Sequence, residues 1–356
     1  MDNLLDKAGS VRQGEELDII RIDQFLKSQL PSLQGEPRLE QFAGGASNLT
    51  YLLAYADRDL ILRRPPFGHK AKSAHDMLRE AQIMTALKPV YPYVPSVLAS
   101  SHADEVMDVD FYVMERIKGI IPRQNLPKSL NLNPEQTRQL CINVIDKMIE
   151  LHQVDYRAAG LSHLGKGEGY VKRQIDGWTD RYEKARTPDV GSFAEVMAWL
   201  KAKMPSQDVA TCLIHNDFRF DNVVLNPDNP LEVIGVLDWE MATLGDPLMD
   251  LGNTLAYWVQ ADDDGVMQMM RRQPTHLAGM LTRQEVIDYY GQKTGYKVDN
   301  FDFYSIYGLF RLAVIAQQIY YRFYHGQSKN AQFAMFGQMV NYLEQRCLGL
   351  IANSKL

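Results

Sequence analysis

The stretch that most constrains this 356-residue chain is His215-Asn216-Asp217-Phe218-Arg219-Phe220-Asp221-Asn222, followed sixteen positions later by Asp238. Apolar runs surround it: Cys212-Leu213-Ile214 before, Val223-Val224-Leu225 after, and Val233-Ile234-Gly235-Val236-Leu237 leading into Asp238. Short apolar runs bounded by polar loops read as buried strands. The pattern therefore predicts a strand, a tight loop and a strand, then a third strand that delivers Asp238 at its end. The spacing H-x-D-x4-N, strand, D supplies what phosphoryl transfer from a nucleotide requires. One carboxylate accepts the proton of the attacking hydroxyl, while an amide oxygen and a second carboxylate hold magnesium on the phosphates. Magnesium takes hard oxygen ligands and usually only one or two carboxylates. Asn222 and Asp238 fit that set, leaving Asp217 to orient and deprotonate the acceptor. The plain alternative is a hairpin with Asx-turns between core strands. His215 reads as a backbone brace rather than a chemical group.

Asp246-Pro247-Leu248-Met249-Asp250-Leu251 then opens a helix, with Asp246 as N-cap and Pro247 at the first helical position. Taken with Leu213 to Asn222 and Leu237-Asp238-Trp239-Glu240, these residues resemble the aminoglycoside phosphotransferase family. Gly245-Asp246-Pro247-Leu248 and Tyr257-Trp258 look most like its branch associated with acyl-CoA dehydrogenases. The resemblance implies an α+β, two-lobed protein-kinase-like fold with a small antiparallel-sheet lobe and a larger, mostly helical one. It also implies that Asp217 is the catalytic base, that Asn222 and Asp238 are the metal ligands, and that Asp250 braces the loop from the next helix. Asp238-Trp239-Glu240 stands where protein kinases have Asp-Phe-Gly. Without the glycine a permissive backbone position is lost, so a large flip of this segment is not expected.

The upstream half supplies the other parts in order. Arg38 to Phe42 and Leu49 to Leu53 alternate as strands around Gly44-Gly45-Ala46-Ser47-Asn48. A hairpin tip of this kind presents backbone N–H groups and the Ser47 hydroxyl to phosphate oxygens, though Gly-Gly hairpins are commonly plain turns. In Leu60 to Arg64 alternation puts Ile61 and Arg63 on one face. The resembled family places a Lys here on the nucleotide phosphates, and its acyl-CoA branch resembles this chain in carrying Arg. Arginine grips phosphate bidentately but is not equivalent to lysine, and Lys70 and Lys72 are near enough in sequence to substitute. A helix from Ser73 to Leu87 carries Glu80, either the ion-pair partner of Arg63 or part of a solvated face. Val109 to Arg116 reads as the last strand of the small lobe. By the resemblance, Met114-Glu115-Arg116 is the hinge that recognises adenine. The lobes are accordingly expected at 1–116 and 117–356. Helices are expected from Leu17 to Leu30, Asn133 to His152, Tyr170 to Ala185 and Phe193 to Met204, and His152 reads as a packing or capping residue.

A formal charge of −6 and a pI near 5.8 argue against nucleic acid or an anionic membrane as the main partner. No apolar run approaches a membrane span, and the N-terminus lacks the features of a signal peptide. Three isolated cysteines in apolar surroundings read as reduced core residues of a cytoplasmic protein. Zinc spacings and the G-x-S-x-G elbow are absent from the sequence. The expected activity is transfer of the γ-phosphoryl of MgATP to a hydroxyl of a small molecule, such as a hydroxylated acyl group or acyl-CoA. A nucleotide-binding regulatory module is the alternative, and an aminoglycoside kinase or protein kinase comes third. Asp262-Asp263-Asp264, the only strong acidic run, reads as a solvated loop rather than a polycation site. Composition says nothing about oligomeric state.

Overall fold

Leucine-rich alternation becomes sheet, and 3.6-residue periodicity becomes helix, nearly where the sequence places them. The computed structural model describes residues 5–43, 48–67 and 76–356. In chain order it contains α1 (Ile19–Gln29), β1 (Arg38–Gln41), β2 (Leu49–Ala54), β3 (Asp59–Arg64), α2 (Met77–Leu87), β4 (Val97–Ser101) and β5 (Phe111–Glu115). There follow α3 (Pro134–His152), α4 (Tyr170–Ala185), α5 (Ala194–Lys203), β6 (Cys212–Ile214), β7 (Val223–Leu225), β8 (Val233–Val236) and β9 (Thr243–Gly245). The chain closes with α6 (Pro247–Ala256), α7 (Gly265–Met270), α8 (Arg283–Thr294), α9 (Asp302–Tyr324) and α10 (Phe336–Asn353). It divides into two compact units, each discontinuous in sequence.

The sheet unit comprises Met1–Pro122, Arg157–Leu161 and Asn222–Ala242. Its five strands lie in the order β1-β2-β3-β5-β4, every neighbouring pair antiparallel. Tyr51, Leu53, Leu60, Leu62, Phe111 and Val113 bury one face with Ile22 and Leu26 of α1. Alternation therefore turns Arg63 to the opposite face. β4 was not expected from sequence. It is an edge strand with a register shift between Val97 and Ala99, and only Ala99 and Ser101 of its side chains are buried, which leaves a weak alternation signal. The short β7–β8 pair joins this unit through the Ile120–Leu225 bridge and the bond from Val236 N to Tyr93 O (2.9 Å).

The helical unit comprises Arg123–Tyr156, Ser162–Asp221 and Thr243–Leu356. Every residue of α6 is buried, and α6 lies against α9. Gly252 and Gly308 permit the approach: a Cβ on Gly308 would stand 2.1 Å from the Gly252 carbonyl oxygen. The strands flanking the Asp217 loop do not pair with each other. β6 pairs with β9 and β7 with β8, so the hairpin alternative is excluded by the ladder itself. No helix among the described residues is long and apolar enough to cross a membrane.

The acidic run is not a solvated loop throughout. Asp264 caps α7, accepting from Val266 N and Met267 N. Asp263, with 5% of its side chain exposed, takes Arg283 in two bonds of 2.6 and 2.9 Å and Arg346 in one of 2.8 Å. Burial works against its charge, but these arginines and the Gln260 N–H hold its pKa at about 2. A depressed acid stabilises the fold above its unfolded pKa and loses that contribution as pH falls through its folded value. Asp263→Asn should therefore lower the midpoint of thermal unfolding at pH 7, by an amount equivalent to about 1–2 kcal/mol after allowance for solvent screening. Melting curves of both proteins should converge as pH drops from about 4 toward 2. A gap that persists undiminished at low pH would show that the pairing is not responsible.

Candidate active site

In the sheet unit, β3 and α2 bring together Arg63 and Glu80, two of the residues expected at the nucleotide. Asp76 caps α2 by accepting from Arg79 N, which sets Glu80 in the first turn facing inward. Arg63 Nη1 lies 2.5 Å from Glu80 Oε1, and Nη2 lies 3.2 Å from Asp238 Oδ1. Glu80 is 1% exposed, so the solvated-face reading of this residue is excluded. Burial works against the charge of Arg63, but Glu80 first, then Tyr112 and Asp238, hold its pKa well above the ordinary guanidinium value. Arg63 is therefore a fixed cation, with one end on the helix carboxylate and the other on the expected metal ligand.

The β7–β8 ladder sets the two expected metal ligands, Asn222 and Asp238. Val223 lies opposite Val236, and one step further Leu237 N donates to the Asn222 carbonyl at 2.8 Å. Asn222 is thus cross-strand from the residue preceding Asp238. An amide oxygen and a carboxylate at adjacent positions suit magnesium already carried on phosphates, which needs few protein ligands. No cluster of three or more His, Cys, Asp or Glu fit to hold a metal by itself occurs among the described residues. Asp238 adopts the left-handed conformation (φ 69°). Trp239 anchors the segment beneath it, fully buried, its Nε1 donating to Val236 O at 2.9 Å and its ring edge-on to Tyr91. Arg79 binds the carbonyls of Glu240 and Ala242, and Asn48 Nδ2 donates to Glu240 Oε2 at 2.7 Å.

Of the expected nucleotide contacts, Gly44, Gly45 and Ser47 lie outside the described residues, as do Lys70 and Lys72. Asn48 is buried at the start of β2 with its amide on Glu240. Met114 and Glu115 end β5. The Glu115 side chain holds Lys88 and Ser96, while Arg116 holds Asp59 and the Asp6 carbonyl, so both side chains serve the unit's own framework.

In the helical unit, the Asp217 loop leaves β6 and is held almost atom by atom. Asp250, wholly buried on α6, accepts from His215 N at 2.9 Å through Oδ2 and from Asn216 N at 2.8 Å through Oδ1. His152 Nε2 donates to the same Oδ2 at 3.0 Å, and its Nδ1 lies 2.6 Å from the Tyr290 hydroxyl. Burial opposes the charge of Asp250, yet the His152 bond and the His215 N–H hold its carboxyl below its usual pKa. His152 is thus a brace for Asp250 rather than a packing or capping residue. His215 braces as expected: its Nδ1 accepts from Asp217 N at 3.3 Å and its ring meets Phe218 edge-on. Further along, Thr254 Oγ1 donates to Phe218 O and Phe220 N donates to Gln273 Oε1, both at 2.9 Å. Asp217 keeps 21% of its side chain exposed, with Arg219 Nη2 3.4 Å from its Oδ2.

The bracing of this loop by Asn253, Thr254, Gln273, Tyr290 and Arg311 was not foreseen from the sequence. Asn253 and Thr254 follow Asp250 at helical spacing of three and four, a signal that was available. Tyr290 and Arg311 lie 138 and 95 residues from the groups they hold, and nothing local marks them.

Comparison with known proteins agrees with this fold. The model of the phosphotransferase enzyme family (APH) matches residues 38–285. A curated relative, acyl-CoA dehydrogenase family member 10 of Mus musculus, is 33% identical over 327 residues, 91% of this chain but 30% of its own length. The chain spans less than half the length of the curated relatives it matches. A solved structure of a putative aminoglycoside phosphotransferase from Ralstonia eutropha JMP134 superposes with a TM-score of 0.81 at 26% identity, covering 96% of this chain and all of that one. The GDP complex of an aminoglycoside 2′-phosphotransferase superposes at 0.59 with 15% identity, over 94% and 99% of the two chains, which shows the fold alone. The α+β, kinase-like fold implied by the sequence resemblance is the one found.

Proposed function

This chain belongs to the phosphotransferase enzyme family, and we propose that it transfers the γ-phosphoryl group of MgATP to a hydroxyl of a small molecule in the cytoplasm. One observation carries the reading: the buried Arg63–Glu80 ion pair that reaches Asp238. Phosphoryl transfer depends on a cation held by a helix carboxylate and on a metal-binding aspartate, both in place at once. Arg63 would hold the phosphates, and Asn222 and Asp238 would hold magnesium. Bound there, the metal supplies neutralisation of charge on the phosphates. Asp217 would orient the acceptor hydroxyl and take its proton. Catalysis is then mostly positioning and electrostatics.

For the acceptor we favour a hydroxylated acyl group or acyl-CoA. An aminoglycoside needs a dense acidic surface, but Asp263 is ion-paired and Asp264 caps a helix. Near Asp217 stands Arg219, 3.4 Å from its Oδ2 and 3.0 Å from Asp221 Oδ1. Arg219 also lies 4.7 Å over the Tyr257 ring, and Arg311 and Arg272 are near enough to act on the hydroxyl of that tyrosine. Cationic and aromatic surroundings suit an anionic, partly apolar acceptor. The similarity to an acyl-CoA dehydrogenase family member points the same way.

The deciding test follows labelled γ-phosphate from MgATP into a fractionated metabolite extract and into purified hydroxyacyl-CoAs. Label should enter a small molecule with the wild type and not with Asp217→Asn. Label on protein, or none at all despite tight MgATP binding, would overturn the reading. Separately, Asp238→Asn should weaken magnesium-dependent nucleotide affinity by about tenfold or more, since one of only two protein ligands loses its charge. Calorimetric titration of MgATP that gave an unchanged affinity would remove Asp238 from the metal site.

A further inference from the structure

Arg311 is a buried cation without an evident structural reason. It sits in α9, 4% exposed, beyond the residues matched by the family model. No carboxylate lies within ion-pair distance of it among the described residues. Its contacts are a bond from Nη2 to the Asn216 carbonyl oxygen at 3.0 Å and the face of Trp178, 5.3 Å from the guanidinium carbon. Burying a guanidinium without an anion is costly, and an apolar side chain would suit a buried helix face at lower cost.

We infer that Arg311 is a positioning residue for the proposed phosphoryl transfer, fixing the peptide that joins Asn216 to Asp217; this role rests on the phosphotransferase reading given above. Asn216 is held in the left-handed conformation, with φ of 65°. That conformation costs an ordinary residue of order 1–3 kcal/mol and persists only where surrounding contacts over-determine it. Here the contacts come from both sides. The anionic Asp250 takes the Asn216 N–H at 2.8 Å, and the cationic Arg311 holds its carbonyl. Tyr170 and Asn253 donate to the Asn216 side-chain oxygen at 3.3 and 3.2 Å. A peptide gripped at its carbonyl end cannot rotate, and Asp217 is the next residue. Charge-assisted bonds are roughly twice as strong as neutral ones, so Arg311 is the contact best able to hold the carbonyl plane.

The test compares wild type, Arg311→Met, Arg311→Lys and Asp217→Ala for turnover of MgATP with water as acceptor, a reaction that needs no identified substrate. Arg311→Met should lower kcat by about 10²-fold, the scale of an ångström-sized misplacement, with KM for MgATP within about twofold of wild type. Arg311→Lys, which keeps a donor cation on a flexible stem, should recover at least about tenfold of that loss. A kcat for Arg311→Met within about twofold of wild type would overturn the role, as would a rise in KM matching the fall in kcat. A wild type no faster than Asp217→Ala would overturn the phosphotransferase reading instead. The crystal structure of Arg311→Met judges the positioning independently. A peptide that rotates out of the left-handed conformation supports it, and one that stays in its wild-type place refutes it.

Discussion

Asp217→Asn is expected to abolish turnover while leaving nucleotide binding intact. Asparagine matches aspartate in size and still accepts a hydrogen bond from the acceptor hydroxyl, but it does not take the proton as that hydroxyl attacks. General-base catalysis of this kind contributes about 10²–10⁴-fold, so kcat should fall by that factor with MgATP affinity within about twofold of wild type. The separation is expected because Asp217 belongs to the helical unit, whereas Arg63, Asn222 and Asp238 belong to the sheet unit. Nucleotide titration beside single-turnover kinetics checks both halves. Equal losses of binding and turnover would mean that Asp217 holds the nucleotide or its metal rather than the acceptor.

Asp250→Ala should be among the most destabilising single changes in the helical unit. The carboxylate satisfies His215 N, Asn216 N and His152 Nε2 at once, in a place wholly closed to water. Its removal leaves three buried donors without an acceptor and frees the left-handed Asn216 turn. Breaking a buried charged network by removing one partner costs about 3–5 kcal/mol, each orphaned donor adding its own desolvation penalty. For a cooperative unit of roughly 200 residues this corresponds to a fall of about 6–20 °C in the unfolding midpoint. Tyr290→Phe provides the graded control, since it removes only the outermost bond of the chain Tyr290–His152–Asp250 and should cost about 1 kcal/mol. Circular dichroism melts that placed Asp250→Ala within a degree or two of wild type would show that the loop holds itself without this brace.

Much of the site was readable because its chemistry is local. Asp217 and Asn222 share one loop, and Asp238 ends the next strand pair, so apolar runs and spacing were enough to place them. The cap Asp246 was readable for a similar reason: a side chain that satisfies N–H groups two or three residues ahead leaves its signature within one helical turn. β4 and β9 were not readable. One is an edge strand with a bulge and the other a three-residue strand, and neither carries the alternation that would distinguish it from a loop.

The sequence by itself determined which groups are available and their order along the chain: an arginine on β3, a glutamate on α2, an aspartate in a loop, and an asparagine and an aspartate astride a strand pair. Only the tertiary structure decided what those groups are tied to. Whether Glu80 faced solvent or Arg63 could not be settled by a helical period, because both faces of a short helix beside a sheet accept a carboxylate; the 1% exposure of Glu80 and the 2.5 Å contact decide it. Whether β6 and β7 formed a hairpin depended on other partners, β9 about thirty residues beyond β6 and β8 about ten beyond β7, and pairing energy between strands does not appear in the sequence of either. The bracing of the Asp217 loop by Tyr290 and Arg311 is the extreme case. A hydrogen bond between residues about a hundred positions apart exists only once the helices carrying them have packed, and until then each is merely one more tyrosine or arginine on an amphipathic helix.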